Sequence, residues 1–141
     1  MSNFAIIDTN VVVAGLLTAH AESPVARILD GMLRATFGFV LSEAMLAEYR
    51  AVLLRPRLVK RHGLSVTEID SILTDIARHA IVMTPIGNAT TPRAPDPGDQ
   101  FLWNLLVARA NLVLVTGDKL LLQDEMVRSR VMLPNTFVDL L

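Results

Sequence analysis

The chain has 141 residues, with 13 Lys plus Arg against 14 Asp plus Glu and a formal net charge of −1. Hydrophobic residues make up 52% and charged residues 19%. This excludes a disordered chain, which needs low hydrophobicity and high charge, and a protein that grips nucleic acid by bulk positive charge alone. The length suits one domain, residues 1–141, with a core of its own. The uncharged runs Thr9 to Ala21 and His79 to Pro92 are shorter than the roughly 20 apolar residues that cross a bilayer. No membrane segment is expected. Asp8 interrupts the first apolar run and no basic stretch precedes it, so no signal peptide is expected either. The absence of cysteine rules out disulfides and thiolate metal sites, and it fits a cytoplasmic protein. The apolar excess then belongs to strands buried on both faces and to a subunit interface.

In chain order, Phe4 to Ile7 reads as a buried strand and Asn10 to Leu17 as a helix. Ser23-Pro24 fits an N-cap with Pro at the first helical position, which predicts a helix to about Ala35. Gly38 to Leu41 is a second strand. Ser42 caps a helix to about Leu54, which Pro56 stops. The stretch after it reads as a loop. Ser65 and Glu68 have capping-box spacing, so a helix covers about Val66 to His79. Ile81 to Met83 is a third strand, and residues 85–98 form a loop. Asp99 to Ala110 is a helix, with Phe101, Leu102, Leu105, Leu106 and Ala108 facing the core. Leu112 to Val115 is a fourth strand. Thr116-Gly117-Asp118 turns into a short helix to about Glu125, and Gly117 supplies backbone freedom to that turn. Val131 to Leu133 is a fifth strand, and Thr136 to Leu141 a tail. Strands alternating with helices predict an α/β protein: three α/β/α layers around a mostly parallel, five-stranded sheet.

Ligands of such sheets bind at the carboxyl ends of the strands, near the point where strand order reverses. Asp8 directly follows the first strand, and Asp118 follows the fourth. Asp99 opens a helix, where the backbone dipole favours an anion. Asp96 precedes it in an Asp-Pro-Gly-Asp turn. Glu48 lies on a mostly apolar helix, where an acid needs a partner. Taken singly, Asp8, Asp96 and Asp118 read as turn residues, Asp99 as an N-cap, and Glu48 as a surface partner of Arg50 or Arg55. Taken together, they can converge on one crevice. Carboxylates that close repel unless a cation compensates. Oxygen donors without Cys or His select a hard ion, Mg²⁺ or Mn²⁺.

Four segments carry a resemblance: Ile7-Asp8-Thr9-Asn10-Val11, Ser42 to Glu48, Asp96 to Leu102, and Val115-Thr116-Gly117-Asp118-Lys119. In order and spacing they resemble the four acidic motifs of PIN-domain nucleases. They also resemble the VapC-like subgroup, toxins of toxin–antitoxin pairs. The resemblance implies a ribonuclease using one or two Mg²⁺ or Mn²⁺ ions. It implies Asp8, Glu48, Asp99 and Asp118 as catalytic, metal-holding acids, and Asp96 as an accessory acid. Thr9, Asn10 and Thr116 match polar positions that support the site. Gln100 and Leu120 stand where the family often has further acids, which leaves the choice of closer ligand between Asp96 and Asp99. Asp99 is preferred because it starts the helix. The implied partners are an RNA substrate, an antitoxin that blocks the crevice, and a second copy in a homodimer.

Arg50, Arg55, Arg57, Lys60 and Arg61 lie in an acid-free stretch. It reads either as a solvated loop or as a phosphate-contacting arm for RNA. His20, His62 and His79 lack ligand spacing and read as surface or packed residues. Trp103 reads as a core or interface residue, whereas Tyr49 and Trp103 both have the rings to stack on bases. Two rivals remain. A haloacid-dehalogenase-like phosphatase would need a second Asp where Asn10 stands, and no Gly-rich phosphate loop is present. A catalytically idle binding module would have no use for a complete acidic quartet.

Overall fold

The computed structural model describes residues 4–84, 93–94, 97–124 and 128–141. Its five strands are β1 (Phe4–Ile7), β2 (Val40–Leu41), β3 (Ile81–Val82), β4 (Leu112–Val115) and β5 (Val131–Met132). All ladders are parallel, β1-β4-β5 in one and β2-β3 in the other. A single parallel bridge between Ala5 and Phe39 joins them. The expected sheet is therefore present as two ladders linked at one point. The physical reason is length: β2 is cut to two residues because Ser42 already caps the next helix. The strand order is β3-β2-β1-β4-β5, and it reverses at β1. The crevice of the switch-point rule lies beyond the carboxyl ends of β1 and β4.

The middle strands are apolar throughout, because they are covered on both faces. Ala5, Ile6, Ile7, Leu112, Leu114 and Val115 are all buried. The edge strand β3 departs from this, with Ile81 and Val82 exposed. The helices are α1 (Thr9–Leu17), α2 (Pro24–Arg34), α3 (Glu43–Leu53), α4 (Pro56–His62), α5 (Val66–His79), α6 (Gln100–Ala108), α7 (Lys119–Gln123) and α8 (Pro134–Val138). Helices α1, α2, α3 and α5 pack on one another, which fits the right-handed crossover rule that puts the helices joining β1 to β3 on one face.

The caps form as the sequence predicts. Ser23 Oγ accepts from the Ala26 N–H at 3.3 Å, and Ser42 Oγ from the Met45 N–H at 3.2 Å. Ser65 and Glu68 close a reciprocal capping box at 3.1 Å in both directions. Gly15 is fixed by a close approach between α1 and α2, since a Cβ there would meet the Val25 carbonyl oxygen at 2.6 Å.

Three expectations are corrected. The stretch after Pro56 is helix α4, not a loop. Pro56 sits in its first turn, where a missing N–H breaks no helical bond. Pro134 starts α8 in the same way, within the expected tail, and Phe137 and Val138 bury against the core. On α6 the buried set is Leu102, Trp103, Leu105 and Leu106, while Ala108 is exposed and Phe101 half-buried. Trp103 is buried in the core, as expected, and Tyr49 is fully enclosed as well, so neither ring is available for stacking on a base. The expected loop at 85–98 lies mostly outside the described residues.

Helix α2 ends on Ala35 with φ 57° and ψ 41°, the left-handed conformation normally taken by glycine. Ala35→Gly is expected to stabilise the protein by roughly 0.5–1 kcal/mol in chemical denaturation, through relief of the Cβ clash. Unchanged or lower stability would contradict the strain.

Candidate active site

The end of β1 is built around one buried carboxylate. Asp8 leaves the strand in an extended conformation and caps α1, its Oδ1 accepting from the Thr9 N–H at 2.8 Å. Its own N–H donates to the Val115 carbonyl at 2.9 Å, which ties it to the end of β4. Oδ2 accepts from the Thr116 hydroxyl at 2.8 Å and from Asn10 Nδ2 at 3.3 Å. The Thr116 oxygen is fully buried and in turn accepts from Asn10 Nδ2 at 3.2 Å and from the Asp118 N–H at 3.0 Å. One hydroxyl thus links both strand ends.

Asn10 closes the network by accepting the Gly117 N–H at 2.9 Å. This corrects the role given to Gly117. Its φ lies outside the left-handed region, and a Cβ would meet Asn10 Oδ1 at an ordinary 3.4 Å. The turn is shaped by the bond to Asn10 rather than by glycine freedom. Asp118 caps α7 through the Leu120 N–H at 3.0 Å. Tyr49 lies beneath Asp8, and its hydroxyl donates to the Ile7 carbonyl. That bond pins α3 to the end of β1 and fixes Glu48, the preceding residue. Tyr49 escaped sequence reasoning as a supporting residue. Its position next to an acid on an apolar helix is the one signal in the sequence that marks it.

A cleft of about 600 Å³ opens above this network. Asp8, Glu48, Asp99 and Asp118 all line it, together with Thr9 and Asn10. Asp99 holds the N-cap position of α6, as expected, and Asp96 lies outside the described residues. Of the basic candidates, Arg55 and Arg61 line the same cleft. Arg50 does not; it pairs with Asp70 of α5 at 2.8 Å, on a half-exposed surface. Arg57 and Lys60 are exposed on α4. Phe101, expected in the core, is a wall of the cleft. Among the histidines, His62 joins the Leu53 carbonyl to the Leu64 N–H, each at 2.9 Å, and so holds α4 to α3.

Burial pushes the Asp8 carboxyl above its ordinary value of 3.8. Its hydrogen bonds from Thr116 and Thr9 oppose that shift, and the charges of Asp118 and Glu48 add to it. The Tyr49 hydroxyl is raised as well, first by burial and then by Asp8. The Thr9 hydroxyl is buried and has no hydrogen-bond partner among the described residues. A cation in the cleft would relieve the crowding of carboxylates around Asp8. The donors are all oxygen, the chemistry of Mg²⁺ and Mn²⁺. Among the described residues no three acids form a ready-made cage. Mg²⁺ is commonly held by only one or two carboxylates and its own waters, so the donor set fits such an ion.

A parallel α/β sheet with an acidic cleft at its switch point places the chain among the open-sheet α/β proteins that bind ligands beyond the carboxyl ends of their strands. A family model described as "PIN domain" matches residues 5–120. The chain belongs to the PIN-domain family, whose members are in general nucleases that use divalent metal ions. No curated protein matches the chain. No helix among the described residues is long and apolar enough to cross a membrane.

The raised Asp8 pKa has a definite sign. The folded chain holds this proton more tightly than the unfolded chain. Stability of the metal-free protein therefore falls as pH rises from 3.8 through the folded pKa. Asp8→Asn should remove that fall, as read by denaturant titrations between about pH 4 and pH 7. Equal slopes for variant and wild type would contradict the burial cost.

Proposed function

We propose that the protein is a metal-dependent ribonuclease hydrolysing RNA phosphodiester bonds, and that it serves as the toxin of a toxin–antitoxin pair. The convergence of Asp8, Glu48, Asp99 and Asp118 on one cleft carries this reading. One or two Mg²⁺ or Mn²⁺ ions, held by these acids with Asp96 as accessory, would supply an activated water and charge neutralisation on the phosphate. The chain's own residues do the positioning. Thr9 N–H, Thr116 and Asn10 fix both oxygens of Asp8. The Tyr49–Ile7 bond sets Glu48 relative to Asp8. Arg55 and Arg61 bring positive charge to an otherwise acidic cleft and suit the phosphates of a bound strand.

The cytoplasm, where RNA is abundant, is the proposed site of action. An antitoxin covering the cleft and a second copy in a homodimer are the proposed partners. Leu120, two residues from Asp118, is 73% exposed and supports an apolar contact beside the cleft. The alternative reading is a catalytically idle binding module on the same fold.

Asp8→Asn is expected to reduce Mn²⁺-dependent RNA cleavage to background, and Thr116→Val to slow it by about 10–100-fold. Wild-type rates in Asp8→Asn would overturn the reading. If millimolar Mg²⁺ or Mn²⁺ changed neither thermal stability nor cleavage, the idle module would stand instead. Arg55→Ala and Arg61→Ala should each reduce the salt slope of RNA binding by roughly 0.7, the single-strand value per phosphate contact. Arg50→Ala should leave it unchanged, and equal effects from all three would contradict the placement of the arginines.

A further inference from the structure

Phe101 is a wall shared by two cavities. One is the acidic cleft. The other is a smaller pocket of about 180 Å³, lined by Ser42, Glu43, Ala44, Met83, Thr84 and Asn104 besides Phe101. Ligand pockets for drug-sized molecules run from roughly 300 to 1,000 Å³, so this one suits a single flat ring system. Its position follows the two helices that frame the cleft. Glu43 precedes Glu48 on α3 by about 7.5 Å of helix rise, and Asn104 follows Phe101 by one turn of α6.

Part of the pocket's polar lining is not spent on the fold. Asn104 Oδ1 accepts from Gln100 Nε2 at 3.1 Å, while its Nδ2 has no partner among the described residues. The Glu43 carboxylate and the Thr84 hydroxyl likewise make no hydrogen bond among the described residues; the cap of α3 is the Ser42 hydroxyl. The pocket therefore offers a carboxylate, an amide donor, an aromatic side chain and the Met83 thioether. Aromatic faces stack on any base, so selectivity must come from hydrogen bonds to the base edge. A carboxylate accepts two parallel N–H groups. Guanine presents such a pair at N1 and N2, beside an O6 acceptor suited to an amide donor. Adenine and cytosine present one amine beside a ring acceptor, and uracil one N–H between two acceptors.

We propose that this pocket binds one guanine base of the RNA strand whose phosphate lies in the cleft. Phe101 packs against the base, Glu43 reads N1–H and N2–H, and Asn104 reads O6. The proposal rests on the reading of the cleft as a ribonuclease site and adds its base preference.

The test has two arms. In the first, dissociation constants of GMP, IMP, AMP, UMP and CMP are measured by NMR titration of the whole protein. GMP is expected to bind about tenfold tighter than AMP, UMP or CMP, with IMP, which lacks the N2 amine, between. Glu43→Gln should erase the difference; Glu43 is exposed and caps nothing, so the variant should fold. In the second, the ends of a randomised single-stranded RNA cut in Mn²⁺ are sequenced. Guanine should be enriched at one fixed position from the cut, and the enrichment should vanish in Glu43→Gln. Equal binding of all five nucleotides, or discrimination that survives Glu43→Gln, overturns the pocket. Cleavage without base bias overturns the pocket and leaves the nuclease standing. Guanine-selective binding without cleavage supports the pocket and overturns the nuclease.

Discussion

The hydroxyl of Thr116 is the point on which the cleft depends. It donates to Asp8 and accepts from Asn10 and from the Asp118 N–H, so its bonding capacity is filled. Through that one oxygen the end of β1, the start of α1 and the turn after β4 are locked together. Leaving any of these groups unpaired inside the protein would cost on the order of 1–3 kcal/mol. The parallel pairing of β1 with β4 brings the two strand ends level, and the Thr116 network then converts that register into a pair of carboxylates facing one space.

The near-zero net charge takes on a different meaning once the charges are located. Four acids gather at one cleft, where Asp8 is held above its ordinary pKa by burial and by its neighbours. Two of the 13 basic residues, Arg55 and Arg61, reach the same cleft, and a third, Arg50, is spent on Asp70. Local fields, not the overall sum, decide what such a surface attracts. A carboxylate kept buried at a cost, beside others of the same sign, is strain of the kind that concentrates at functional sites.

Much of the fold was legible because its signals are local. β1 and β4 are short apolar runs whose ends are marked by Asp8 and Thr116, and α5 is bracketed by its capping box. Asp8 and Asp118 were legible because open parallel sheets bind ligands at the carboxyl ends of their strands, Asp99 because it opens a helix, and Glu48 because it is an acid on a mostly apolar helix. What stayed hidden depends on distant contacts or on ambiguous residues. Pro56 and Pro134 read equally well as helix stops and helix starts, and only the packing of Phe137 and Val138 or the cap at Gly63 decides. Tyr49 supports the site through a carbonyl 42 residues away. Phe101 fits the core stripe of α6, yet the cleft takes it, while Trp103 takes the interior. The five basic residues share one stretch of sequence, but the turn from α3 into α4 sends them in different directions.

The central claim is that Asp8 is a buried carboxylate kept ionisable for a cation. It is tested most directly by following the Asp8 side-chain carboxyl by carbon NMR through a pH titration, with and without Mg²⁺. The predicted result is a titration above the ordinary 3.8 in the metal-free protein that moves to lower pH when Mg²⁺ is added. A midpoint at or below the ordinary value without metal, or one that Mg²⁺ leaves unmoved, would contradict the claim.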